Sequence, residues 1–171
     1  MRVLIILDAN ADSQNGGVPE YVGLIDVYYL FNDVGLDVVL AAPGGGSASE
    51  FTGTVSGRDN LPAAKALQRF IVDRRARDAM NDLVDLASVC AEDFDAAFCI
   101  APQGVNTGAG VNGDISMLVN QLLAATKPVV IITATSKYTI AEPGSGILII
   151  GHTNQAHWPA ANALLGAVGV R

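Results

Sequence analysis

The sequence predicts an α/β fold: a three-layer α/β/α sandwich around a mainly parallel, doubly wound sheet of flavodoxin-like type. Three observations carry that expectation. Short apolar runs rich in β-branched residues recur at Val3–Leu7, Leu36–Ala42, Asp95–Ile100, Pro128–Thr133 and Ile147–Ile150. Runs of this kind mark strands covered on both faces. Segments of helical periodicity or polar, glycine-rich composition separate them, as parallel crossovers require. No internal repeat or shift in composition divides the 171 residues, so 1–171 is expected to form a single domain.

The elements follow in order. Val3–Leu7 is closed by Asp8, and Asn10–Gly17 is polar. Pro19 suits a first helical turn, where its missing N–H has no intrahelical partner. Val18, Val22, Ile25 and Tyr29 share one helical face, and Gly35 ends the helix before Leu36–Ala42. Pro43–Ser47 and Thr52–Asn60 are turn-rich, the three glycines Gly44–Gly46 permitting a tight turn. Pro62–Leu86 is periodic enough for a helix, with Arg74, Arg75 and Arg77 on a solvated face beside the acids that follow from Asp78 to Asp95. After Asp95–Ile100 come a turn at Ala101–Gly104 and a Gly/Asn-rich stretch to Gly113. Asp114 is placed to cap a helix whose buried face is Ile115, Leu118, Val119 and Leu122. Pro128–Thr133 and Ile147–Ile150 are the last strands, and Trp158–Val168 is an alanine-rich closing helix.

Composition narrows the function classes. Half of the residues are hydrophobic and 16% are charged, which excludes a disordered chain. Seventeen acidic side chains against ten basic ones give a net charge of −7, which repels phosphate backbones; no nucleic-acid partner is expected. The apolar runs are too short to span a bilayer and Met1-Arg2 leads straight into a strand, so a soluble, cytoplasmic protein without membrane partners is expected. Two cysteines, Cys90 and Cys99, do not make a disulfide framework. His152 and His157 are five residues apart with no Cys/His cluster nearby, so no metal site is expected. The first strand–helix connection lacks both G-x-G-x-x-G and G-x-x-x-x-G-K-[ST], and no cofactor is expected.

In open α/β sheets ligands bind outside the carboxyl ends of the strands. Asp8–Glu20, Pro43–Ser47, Ala101–Asn106 and Thr133–Tyr138 would converge there. Glu20 falls in the first turn of its helix, where the helix dipole favours negative charge. Its two readings are an ordinary helix-terminal carboxylate and a pocket acid. Thr133 and Ser136 follow a buried strand at the place where many α/β enzymes carry a nucleophile, yet no G-x-S-x-G elbow is present. A threonine hydroxyl needs an activating base, so Thr133 reads first as a structural or hydrogen-bonding residue. Cys99 lies inside an apolar strand and reads as core, whereas Cys90 sits near a polar junction and is the alternative, redox-sensing candidate.

Taken in order, these segments resemble the DJ-1/PfpI superfamily (ThiJ-like, class I glutamine-amidotransferase-like), above all its glyoxalase III and Hsp31-type branch. The likeness is carried by Val3–Leu7, Gly17-Val18-Pro19-Glu20, Ala41-Ala42-Pro43-Gly44-Gly45, Glu92-Asp93-Phe94-Asp95-Ala96, Lys127-Pro128-Val129-Val130 and Gly151-His152-Thr153-Asn154-Gln155. The resemblance implies a glutamate at Glu20 and a nucleophile elbow at Thr133, where family members usually carry cysteine. Here Ala134-Thr135-Ser136 replaces the His-Gly-Pro-like residues that follow it, and Ala101-Pro102-Gln103-Gly104 replaces a Gly-Gly-His-Gly turn. Pro102 has no N–H to donate, and Gln103 hydrogen-bonds but does not exchange a proton near neutral pH. The resemblance therefore implies a degenerate nucleophile site: Glu20 and Thr133 in the catalytic positions, with Gln103, Gly104, Ala134, Ser136 and His152 lining a small-metabolite pocket. The alternative is a cysteine-independent hydrolase or lyase with Glu20 as general acid/base. The resemblance also implies a homodimer, to which Tyr21, Tyr28, Tyr29 and Phe31 would contribute unless they pack into their own subunit.

Overall fold

The computed structural model describes residues 1–7, 23–47, 61–100, 113–132, 146–151 and 156–170. Their strands are β1 (Arg2–Leu7), β2 (Asp37–Ala42), β3 (Val84–Asp85), β4 (Ala96–Ile100), β5 (Val129–Ile132) and β6 (Leu148–Gly151). Their helices are α1 (Leu24–Asp33), α2 (Leu61–Val72), α3 (Arg74–Asn81), α4 (Gly113–Ala124) and α5 (His157–Ala167), with 3₁₀ turns at Leu86–Ser88 and Ala91–Asp93. The sheet order is β3-β2-β1-β4-β5-β6, and every named strand pair is parallel. Apart from the two-residue edge strand β3, this is the flavodoxin-like order, with its reversal between β1 and β4.

The central strands are uniformly apolar because both faces are covered. Alternate side chains point to opposite sides of a strand. Val3, Ile5, Leu7, Phe98, Ile100, Val130 and Ile132 therefore join one core with Leu24, Val27 and Phe31 of α1, Met80 of α3 and Leu164 of α5. Leu4, Ile6, Ala97, Cys99, Val129 and Ile131 form the other with Ile115, Leu118, Val119 and Leu122 of α4, together with Leu86 and Phe94. The rings of Phe31 and Phe98 meet edge to face at 5.8 Å. These two layers of helices on a parallel sheet are the sandwich that the sequence predicts.

Three local details differ from the expectation or sharpen it. The helix expected over Pro62–Leu86 is two helices and a strand. Asp73 breaks it: its backbone is extended and its carboxylate accepts from the Ala76 N–H at 3.2 Å, capping α3. The Tyr29 hydroxyl donates to the same carboxylate at 3.2 Å, so a tertiary contact fixes the break. Beyond Asn81, Val84–Asp85 joins Ala41–Ala42 in parallel. The closing helix starts one residue early, at His157. Gly35 ends α1 as expected: at φ 81° it lets its N–H reach Asn32 O and the Leu36 N–H reach Phe31 O, closing orphan carbonyls. Tyr28, Tyr29 and Phe31 are buried within this subunit, which takes up the packing that a dimer interface would otherwise need from them; Tyr21 is outside the described residues.

Candidate functional site

Strand register builds the site's floor. Leu7 pairs with Ile100, Ile100 with Ile132, and Ile132 with Gly151, so the carboxyl ends of β1, β4, β5 and β6 lie in one aligned row. Asp8, Ala101, Thr133 and His152 are the next residues in the chain after the four members of that row. The expected site residues Glu20, Gln103, Gly104, Thr133, Ala134, Ser136 and His152 lie outside the described residues, and so does their mutual geometry.

Above the row, the amino ends of α1 and α5 meet. Gly23 precedes α1 in a left-handed conformation, at φ 84°. A Cβ there would lie 2.9 Å from Cγ and 3.1 Å from Cβ of His157, the first residue of α5. His157 is buried, at 4% exposure. Only glycine combines that backbone conformation with so close an approach. Gly151, the last residue of β6, is confined by close approach alone: a Cβ would come within 2.6 Å of Ile132 Cδ1 and 2.8 Å of Ala156 Cβ. This seam joins Gly23, three residues beyond Glu20, to His157, five residues beyond His152.

One carboxylate of α1 was not among the sequence candidates. Asp26 lies in the first turn of α1, and its partial burial pushes the carboxyl above the ordinary value of 3.8. Burial without a compensating partner disfavours the charged form. An acid interrupting the apolar spacing of Leu24, Val27 and Phe31 was the available signal. His157 is buried where it meets Gly23, a contact between distant parts of the chain that no local pattern announces.

The glycine turn after β2 is tight, as expected, with Gly44, Gly45 and Gly46 all at positive φ. A Cβ on Gly45 would come 2.9 Å from Leu83 O. Asp85 Oδ1 accepts from the Gly44 N–H at 3.0 Å and the Ala87 N–H at 3.1 Å. The turn's amide is thus already satisfied by a side chain of β3 and is not presented to a phosphate.

Both thiols of the chain fall within the described residues. Cys99 is 1% exposed and faces the α4 layer, whereas its neighbour Ile100 faces the α1/α5 layer. Cys90 is exposed and directly precedes the 3₁₀ turn Ala91–Asp93, whose Ala91 and Glu92 carbonyls accept from Lys127 Nζ at 2.8 and 3.2 Å. Lys127 precedes β5, so Cys90 lies toward the amino edge of the sheet, away from the aligned row. Among the described residues no group of three or more His, Cys, Asp or Glu side chains is arranged to hold a metal ion, and no helix is long and apolar enough to cross a membrane.

Solved structures share this architecture end to end. Rapid Encystment Protein 24 kDa of Francisella tularensis aligns with a TM-score of 0.72 at 14% identity, covering 98% of each chain. Glyoxalase III of Candida albicans aligns at 0.66 and 12% identity, covering 97% of this chain and 96% of that one. A ThiJ/PfpI domain protein of Brachyspira murdochii aligns at 0.58 and 13%, covering 98% and 95%. No protein-family model matches the sequence, and no curated protein is significantly similar to it. At these identities the likeness establishes a shared fold: the chain has the architecture of solved DJ-1/ThiJ/PfpI-type structures over nearly its whole length.

Proposed function

We propose that this chain is a DJ-1/PfpI-like protein that has lost thiol chemistry at its strand-end site and binds a small polar metabolite there. One observation carries the reading. The chain's only two thiols are Cys90 and Cys99, and neither belongs to the segment after β5, where the resemblance places a nucleophile. Thr133 follows Ile132 instead. A threonine hydroxyl does not ionise at neutral pH without an activating base, whereas a cysteine there would expose a reactive thiolate fraction. The aligned row favours a retained binding crevice, since the segments carrying Gln103, Gly104, Thr133, Ala134, Ser136 and His152 all leave from it. In this reading Glu20, Gln103 and Thr133 hydrogen-bond the ligand.

The seam supports a second reading, a hydrolase or lyase with Glu20 as general acid/base. The helix end that follows Glu20 packs on a buried imidazole and carries a second acid, Asp26, whose carboxyl is pushed up by partial burial.

A metabolite screen by thermal shift, repeated on Glu20→Gln and Thr133→Val and followed by turnover assays on the hits, separates the two. Binding expects ligands that raise the melting temperature of the wild type but not of the variants, with no turnover. Saturable hydrolysis or hydration that disappears in Glu20→Gln overturns the non-catalytic reading. Sedimentation of the same samples tests the homodimer that accompanies it.

A further inference from the structure

The elbow between α2 and α3 carries a surface that the strand-end site does not use. Lys65, Arg69, Arg74, Arg75 and Arg77 supply five of the chain's ten cationic side chains, although the chain as a whole is strongly acidic. Between them Ile71 is 60% exposed and Val72 78% exposed. The two stand side by side at the end of a helix whose other face packs on α1. Arg69 is fixed: its guanidinium pairs with both carboxylate oxygens of Asp33 at 2.7 and 2.8 Å and lies 4.0 Å over the Tyr29 ring. Asp33 ends α1, so the elbow stands toward the amino edge of the sheet, opposite the aligned row. Arg74 reaches Asp78 at 3.6 Å with both side chains exposed, a contact of little energetic weight. Arg75 and Arg77 are exposed and make no ion pair among the described residues.

We propose that the α2–α3 elbow is a docking surface for an acidic protein segment, one that seats an apolar side chain on Ile71 and Val72 while its carboxylates pair with Arg75 and Arg77. Charge complementarity selects the occupant. Cations concentrated on one elbow of an otherwise negative molecule attract an anionic partner and orient it. All but one of them are arginine, the cation enriched in protein interfaces, whose planar fork pairs with carboxylates in a bidentate manner. An anionic membrane fits less well. Among the described side chains of α2 and α3, Ile71 and Val72 are the large apolar ones left exposed, which falls short of the continuous apolar face by which a helix lies in a membrane interface.

The test uses the full chain and a labelled peptide in which glutamates flank a Leu-Leu pair, with a lysine-flanked counterpart as control. Saturable binding of the glutamate peptide alone is expected, weakening as salt rises. It should fall about tenfold or more in Arg75→Glu/Arg77→Glu and likewise in Ile71→Ser/Val72→Ser. All four positions are exposed, and unchanged melting temperatures would verify that both variants fold. Equal binding by wild type and variants overturns the proposal. So does binding to phosphatidylserine vesicles without binding to the peptide, and so does self-association in sedimentation that the same substitutions abolish.

Discussion

Replacing Gly23 by alanine probes the seam between α1 and α5 directly, and the structure fixes the size of the effect in two parts. The first is conformational: at φ 84° an L-residue with a Cβ is strained, at roughly 1–2 kcal/mol. The second is steric. The new methyl would lie 2.9 Å from His157 Cγ, 3.1 Å from its Cβ and 3.2 Å from its Cδ2. An imidazole that is 4% exposed has no open space to swing into, and overpacking of this kind costs about 1–3 kcal/mol. Gly23→Ala should therefore destabilise by about 2–5 kcal/mol, a large part of a typical domain's stability. Urea denaturation followed by far-ultraviolet circular dichroism measures it. Repeating the substitution in a His157→Gly background separates the parts, because removing the ring together with its Cβ abolishes the clash and leaves the strain. The cost should fall to roughly 1–2 kcal/mol there. An equal cost in both backgrounds would refute the seam as described, as would a cost below about 1 kcal/mol in the wild-type background.

Three further outcomes follow from single groups. The Tyr29 hydroxyl is pushed up to about 12 by burial first, and then by the charge of Asp73 and the hydrogen bond to it. The folded state holds this proton more tightly than the unfolded chain does, so the associated stability is complete below about pH 10 and lost as pH rises through about 12. Denaturation midpoints across that window should fall in the wild type and stay flatter in Tyr29→Phe. Asp26, raised by burial, behaves with the same sign in the acid range: its contribution is present below its ordinary pKa of 3.8 and is lost as pH rises through the raised value. Asp26→Asn should consequently raise the melting temperature at neutral pH and give no such gain at acid pH; an equal gain at both would remove burial as the cause. Iodoacetamide on the native protein should modify the exposed Cys90 and spare the 1% exposed Cys99, which should react only in urea. Peptide mapping that finds Cys99 modified in the native state would contradict the packing of β4 against α4.

The central strands were legible because burial on both faces leaves no polar residue to interrupt them: Val3 to Leu7 are all fully buried and all aliphatic. The end of α1 was legible for a local reason, the glycine at the position that needs a positive φ. Asp73 was not. An aspartate fits inside an exposed helix, and what makes this one a break is a cap to Ala76 together with a hydroxyl from Tyr29, on another helix. Leu83 continues the apolar spacing of Met80 past the true end of α3 at Asn81, which conceals the two-residue strand β3. At the site, sequence located the strand ends, since each apolar run stops at a recognisable place. It did not reveal that Gly23 and His157 touch, because that contact depends on how α1 and α5 lie side by side.

The row at the carboxyl edge also explains why the thiols make a sharp criterion. Successive residues of a strand face opposite layers, so a one-residue shift moves a side chain from one side of the sheet to the other. Cys99 is a single residue short of the row, and that is enough to bury its sulfur in the α4 layer while Ile100 turns to the opposite layer. Proximity to the strand end in sequence therefore does not deliver a nucleophile. The residue that would deliver it must come after the last paired position, and on β5 that residue is Thr133, after Ile132. Replacing it with cysteine is accordingly the most direct addition to the wild-type chain: if thiol loss is what silenced the site, Thr133→Cys should acquire a fast-alkylating thiol distinct from Cys90 and Cys99. A thiol no more reactive than free cysteine would place the deficiency in the surrounding groups, with Gln103 where the resemblance expects a histidine.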